Sequence, residues 1–214
     1  MISLKFHNIE ANNIENGEGI RTLLWVSGCY HNCYGCHNPI THDKDDGLEF
    51  TEESMDELFG YVSQDHVNGL TLTGGDGLCY YTHELCDLIL KFRKKFGRSK
   101  TIWLYTGFTL DNLLDRIKAF NDSTNSMCLR WILSNIDVLC DGKYVEKLAL
   151  KEYHWVGSTN QRVINMRKTL ENGTVVFYEK DQEELYTPYN SDNLESLEKS
   201  IQSFYVENKD KILG

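Results

Sequence analysis

A chain of 214 residues, 41% of them hydrophobic, can bury one sizeable core, and its formal net charge of -10 argues against a nucleic-acid surface, which draws affinity from basic residues on phosphate. No run of about 18 apolar residues occurs that could cross a bilayer. The opening MISLKFHNIEANN lacks the basic start, apolar run and small-residue cleavage site of a secretory signal, so a cytoplasmic location is expected.

In chain order, Arg21 to Ser27 (RTLLWVS) is a short apolar run closed by Gly28 and reads as a strand that delivers a cysteine-rich loop. Thr51 is placed to cap a helix with Glu52 and Glu53 in its first turn and Met55, Leu58, Phe59 and Val62 on one face. Leu70 to Thr73 is a second strand, ending in Gly74-Gly75-Asp76, and Thr82 opens a helix whose inner side is Leu85, Leu88, Ile89, Phe92 and Phe96. The basic run Lys91 to Lys100 that follows reads as cations gathered at that helix's C-terminus, where they complement its dipole.

Thr101 to Tyr105 is a third strand, running into Thr106-Gly107, and Thr109 caps a helix with an expected inner face of Leu110, Leu113, Leu114, Ile117 and Phe120. Cys128 to Leu133 fits helix or strand equally, and Ile136 to Leu139 before Asp141-Gly142 fits a buried strand. Arg162 to Met166 and Thr174 to Tyr178 are expected as further strands about a turn at Asn172-Gly173. Beyond Glu179 the chain turns polar, and Leu194, Leu197, Ile201, Phe204 and Tyr205 mark an amphipathic C-terminal helix. The expected division is therefore 1–179 for the main domain and 180–214 for a helical extension.

The repeated alternation of strand and helix implies an α/β fold with a mostly parallel sheet, either open or part of a barrel. In both, ligands sit beyond the C-terminal strand ends, where the cysteine loop, Gly74-Gly75-Asp76, Thr106-Gly107 and Asp141-Gly142 all fall.

Three of the seven cysteines, Cys29, Cys33 and Cys36, crowd into GCYHNCYGCHNP with C-x3-C-x2-C spacing, which suits reduced thiolates on a metal better than disulfides. Three thiolates on a four-iron cluster would leave one iron open to a ligand. The same residues could form a closed zinc site with His31, His37 or His42, or Cys33 and Cys36 could act as a dithiol. Cys79, Cys86, Cys128 and Cys140 lie among apolar residues and read as small buried hydrophobes.

The cysteine spacing resembles the signature of radical S-adenosylmethionine enzymes, in the branch that activates glycyl-radical proteins. NGEGIR (Asn16 to Arg21) resembles DGPGIR of that branch, and GGDG (Gly74 to Gly77) resembles its GGEP or GGDP motif. CHN after the second cysteine pair, WLYTGF, IDVLCDGKY and GSTNQRVI are similar to the activases of anaerobic ribonucleotide reductases. Glu18 and Gly77 stand where the family often has proline, and His37 where it usually has an aromatic residue beside the adenine.

The resemblance implies a partial (β/α) barrel with one [4Fe-4S] cluster on Cys29, Cys33 and Cys36, an enzyme of the oxidoreductase class. It implies reductive cleavage of S-adenosylmethionine to a 5′-deoxyadenosyl radical, which abstracts hydrogen from a glycine Cα of the partner reductase. A flavodoxin-type or other electron donor is then needed, and neither nucleic acid nor membrane is expected as a partner. Cofactor contacts are expected at Gly35, Cys36, His37, Gly74, Gly75, Asp76 and Thr106, with Asp76 accepting from the methionine ammonium. Asp141 and the set Asn160, Gln161 and Arg162 could contact the cofactor, or could serve a turn and a sheet edge.

Overall fold

The computed structural model describes residues 4–120, 123–151, 154–188, 202–204 and 206. They fall into two compact units, residues 1–32 with 36–106, and residues 33–35 with 107–214. Each unit is mixed α/β.

In the first unit the strands β1 (Lys5–Asn13), β2 (Arg21–Val26), β3 (Leu48–Glu49), β4 (Gly69–Gly74) and β5 (Thr101–Tyr105) lie in the order β3-β1-β2-β4-β5. β2 pairs β4 and β4 pairs β5 in parallel, as the alternating pattern requires, while β1 runs antiparallel to both β2 and β3. β1 was not marked by hydrophobic alternation: it lies between β2 and the two-residue β3, and within it only Phe6 is buried, so it carries little apolar signal.

The crossovers are α1 (Glu52–Val62) between β3 and β4, then α2 (Gly77–Tyr80) and α3 (Thr82–Phe96) between β4 and β5. Thr51 caps α1 as expected, in a box with Ser54, and Met55, Leu58, Phe59 and Val62 are the buried face. α3 buries Leu85, Leu88, Ile89 and Phe92. Its basic end acts at the C-terminus: Arg93 donates to the carbonyls of Gly97 (2.9 Å) and Lys100 (3.0 Å), and Lys100 Nζ donates to Gln64 (2.9 Å) and Val67.

Arg21 opens β2 fully buried, and its guanidinium binds Thr71 Oγ1 at 2.6 Å, Leu70 O at 2.7 Å and Thr101 Oγ1 at 3.0 Å. The arginine of NGEGIR therefore stitches the N-terminal ends of the three parallel strands, at the opposite end of β2 from the cysteines.

The second unit holds α4 (Leu110–Ala119), α5 (Thr124–Asn135), β6 (Val138–Asp141), β7 (Arg162–Asn165), α6 (Met166–Asn172) and α7 (Lys180–Leu185), with β6 and β7 antiparallel. Cys128 to Leu133 is thus helical. Phe120 does not join the inner face of α4; as its C-cap it turns out to solvent, 63% exposed. Thr174 to Tyr178 is not a strand either. It makes one bridge, Ile164 with Phe177, because Val176 N–H is held by Thr169 Oγ1 at 2.9 Å, and Asn172-Gly173 ends α6 in a left-handed cap. In the C-terminal segment Phe204 is buried, whereas Leu194, Leu197, Ile201 and Tyr205 lie outside the described residues.

Candidate functional site

The site gathers at the C-terminal ends of β2, β4 and β5, all in the first unit. β2 ends at Val26, and the loop that follows is closed at its base by Gly28 N–H to Thr41 O (2.8 Å) and Cys29 N–H to His42 O (3.0 Å). β4 ends beside it: Gly75 N–H reaches Val26 O at 2.7 Å, and Asp76 N–H reaches Gly28 O at 2.9 Å. The strand end thus grips the backbone one residue before the first cysteine.

This grip explains the two glycines. Gly74 has φ +93, and a Cβ on Gly75 would stand 2.8 to 2.9 Å from the carbonyl oxygens of Gly28, Thr41 and Val26. Their freedom is taken up by the protein's own backbone.

Asp76 is 2% exposed and so is no solvated turn carboxylate. Its Oδ1 accepts from Leu78 N–H at 3.0 Å, which caps α2, and its Oδ2 accepts from Thr106 Oγ1 at 2.7 Å and lies 2.8 Å from His31 Nε2. One carboxylate therefore ties together the ends of β4 and β5 and the cysteine loop. His31, a possible fourth ligand of a zinc site on the loop cysteines, is instead engaged with Asp76 and almost sealed from solvent.

None of the seven cysteines is in a disulfide, and Cys29, Cys33 and Cys36 are half-buried. Cys36 Sγ accepts Asn38 N–H at 3.4 Å, and Cys29 accepts the backbone N–H of His31. N–H···S bonds of this kind stabilise thiolates and tune clusters. The Cys29 thiol is lowered to about 6, first by a hydrogen bond from Cys79 and then by the His31 contacts, against the opposing effect of burial. Cys79 is pushed upward by the same bond and by burial.

Cys79, read from the sequence as a small buried hydrophobe, stands beside the Asp76 carboxylate instead. It is half-buried, on the short helix that Asp76 caps, and its sulfur lies with His31 and Asp76 in a group whose ligand atoms are all within 4.8 Å of one another. Its spacing of three residues from Asp76 was the only available signal. Cys140, by contrast, is the buried hydrophobe it was expected to be.

Other expected residues are not members of this group. Gly35 and Cys33 group with the second unit, where Gly35 is exposed beside Glu146 and Tyr144, and His37 is exposed. Asp141 is fully buried and accepts from Arg162 Nε (2.9 Å), Arg162 Nη2 and Leu110 N–H (2.7 Å). Gln161 Oε1 accepts from Gly157 N–H at 3.0 Å and Nε2 donates to Gly142 O at 2.9 Å, while Asn160 Nδ2 donates to Lys143 O at 2.8 Å. The polar set Asn160 to Arg162 satisfies backbone and one buried carboxylate, the second of the two roles open to it.

Residues 15–164 match a family model described as a 4Fe-4S single cluster domain. The anaerobic ribonucleoside-triphosphate reductase-activating protein of Enterobacteria phage T4 is 36% identical over 148 residues, 69% of this chain and 85% of its own length. Proteins of the same name from Vibrio cholerae and Escherichia coli K12 are each 32% identical, over 160 and 167 residues, covering 74% and 77% of this chain and 96% and 100% of their own. The residues matched by the family model include Cys29, Cys33, Cys36, Gly74, Gly75, Asp76 and Thr106.

Proposed function

Because the chain belongs to the family of anaerobic ribonucleoside-triphosphate reductase-activating proteins, we propose that it is a radical S-adenosylmethionine activase of an anaerobic ribonucleotide reductase. The observation that carries the reading is the cysteine loop, with no thiol in a disulfide, clamped at Gly28 by a strand end that presents a buried carboxylate. The thiol donors, two of them already accepting backbone N–H, fit an iron–sulfur cluster. When bound, the cluster would supply the electron for reductive cleavage of S-adenosylmethionine, the chemistry that would generate a glycyl radical on the reductase.

The chain's own residues would do the rest. Cys29, Cys33 and Cys36 would hold three irons and leave the fourth for the cofactor's amino and carboxylate groups. Asp76, with its position locked by Leu78 and Thr106, would accept from the ammonium. Gly74 and Gly75 would act by holding the loop against β4, and Gly35 and His37 would border the adenosine. The partial-barrel arrangement, a cytoplasmic location, a flavodoxin-type electron donor and a main domain of residues 1–179 belong to this same proposal. Among the described residues no helix is long and apolar enough to cross a membrane.

The test is anaerobic reconstitution with iron and sulfide, followed by an assay of 5′-deoxyadenosine formation and of glycyl radical on the co-expressed reductase. Brown protein that cleaves the cofactor and radicalises the reductase, with Cys33→Ala inactive in both, supports the reading. Colourless protein that binds no cofactor would sink it.

A further inference from the structure

The family model ends at residue 164, and the chain runs on to Gly214. The first part of this continuation folds back on the second unit. Tyr178 N–H donates to Val163 O at 2.7 Å and Asn165 N–H donates to Val176 O at 2.9 Å, so residues 176–178 lie along the edge of β7 that is not paired with β6. An edge left bare would present unpaired backbone groups.

The chain then grips residues 154–162. Glu179 Oε2 lies 3.1 Å from His154 Nδ1, and the Gln182 amide, 2% exposed, donates to His154 O at 3.0 Å. Thr187 N–H donates to Thr159 O at 3.0 Å. The Tyr186 ring stands 5.6 Å from that of Phe177, and the Arg162 guanidinium lies 5.8 Å from its centre. Farther on, Gln202 packs against Gly173 at the end of α6, and Phe204 is buried.

The gripped residues in turn hold the start of the β6–β7 loop, residues 142–161. Ser158 Oγ accepts Val145 N–H at 3.1 Å, Asn160 Nδ2 donates to Lys143 O at 2.8 Å and Gln161 Nε2 donates to Gly142 O at 2.9 Å. Among the described residues the regular structure of this loop is one short turn, Glu146–Leu148, and one bridge, Ala149 with Ser158. A segment so poor in ladder hydrogen bonds takes its order from what is packed on it.

We infer that the chain from Val176 to Thr187 is a strap that locks the β6–β7 loop, so that the motif GSTNQRVI is held in place by residues lying beyond the family model. Releasing the strap takes the donors from His154 O and Thr159 O and lets the loop open without unfolding the sheet. Gly142 to Val145 follow the C-terminal end of β6, the side on which α/β folds place their ligands, so the strap sets how firmly that end is presented.

The test is hydrogen exchange read by mass spectrometry on the full-length protein, reduced and kept free of oxygen, beside Gln182→Ala and Thr187→Pro. The second variant removes one N–H without disturbing a buried side chain, and Tyr186, at ψ 126, already has the extended backbone that a following proline requires. Each variant should speed exchange in peptides spanning 142–161 by roughly three- to tenfold, the worth of one hydrogen bond, and leave α1 and β4 at the parent rate. A loop that exchanges at the parent rate in Thr187→Pro would overturn the inference even if Gln182→Ala failed to fold. An equal rise in every peptide would also overturn it, because the contacts would then support the whole fold and not lock one loop. The readout is independent of cofactor cleavage, so its failure and that of the activase reading are told apart.

Discussion

His31 Nε2 lies 2.8 Å from Asp76 Oδ2, with both side chains almost sealed from solvent, so the cysteine loop and the end of β4 are joined by a side-chain bond as well as through the backbone at Gly28. Asp76→Asn keeps the cap on Leu78 but removes the charge. In the reconstituted enzyme this change is expected to weaken S-adenosylmethionine binding by roughly 10- to 100-fold, the value of a hydrogen bond to a charged group. Equilibrium binding would show it; unchanged affinity would remove Asp76 from the cofactor site.

Cys29 is lowered from 9.0 to about 6, so in the apoprotein its thiolate dominates at pH 7, where an ordinary thiol is only a few per cent ionised. Alkylation of Cys29, followed by peptide mass spectrometry, should stay near its plateau down to pH 7 and fall as pH drops through about 6. Cys79→Ala removes the main lowering contact, and the midpoint should then move upward. A midpoint unmoved by that variant would mean that the thiol pair is not formed.

Gly75→Ala puts a methyl group against three carbonyl oxygens at 2.8 to 2.9 Å, none of which belongs to a flexible side chain. Overpacking of this kind costs about 1 to 3 kcal/mol. Because the Thr41 carbonyl closes the cysteine loop and the Gly28 carbonyl accepts the Asp76 N–H that clamps it, the variant should also retain less iron after reconstitution. Iron analysis beside a urea melt would check both effects.

Asp141 and Arg162 form a buried pair, with both side chains at most 2% exposed. Arg162→Met leaves the carboxylate buried without its cation and is expected to cost about 3 to 5 kcal/mol, whereas Asp141→Leu/Arg162→Met together should recover much of the loss. Denaturant unfolding of the four proteins in the cycle measures this directly. Full cofactor binding in a folded Arg162→Met protein would further support a purely structural role for the pair.

Features that rest on local chemistry could be read from the residues alone. Thr51 and Thr109 cap their helices because a hydroxyl three residues ahead of an N–H needs nothing from the rest of the fold. The parallel strands β2, β4 and β5 announced themselves as apolar runs because crossover helices bury them. β1 did not, since a strand with mostly half-exposed residues carries no such run, and α2, at four residues, is too short to show a period.

The amino-acid sequence by itself determined the kind of chemistry: three closely spaced thiols, the strand ends that bring polar residues to one side, and the family motifs in their order. Only the tertiary structure decided which groups meet. Asp76 finds His31 across 45 residues and Thr106 across 30, and Asp141 finds Arg162 across 21 through the β6–β7 register. The same holds for Cys79, whose surroundings read as apolar until folding set its thiol against Cys29. Spacing and periodicity report a residue's neighbours along the chain, whereas the partners of a buried charge or thiol are set by how strands pair and helices return, because burial makes an unpartnered polar group too costly to leave.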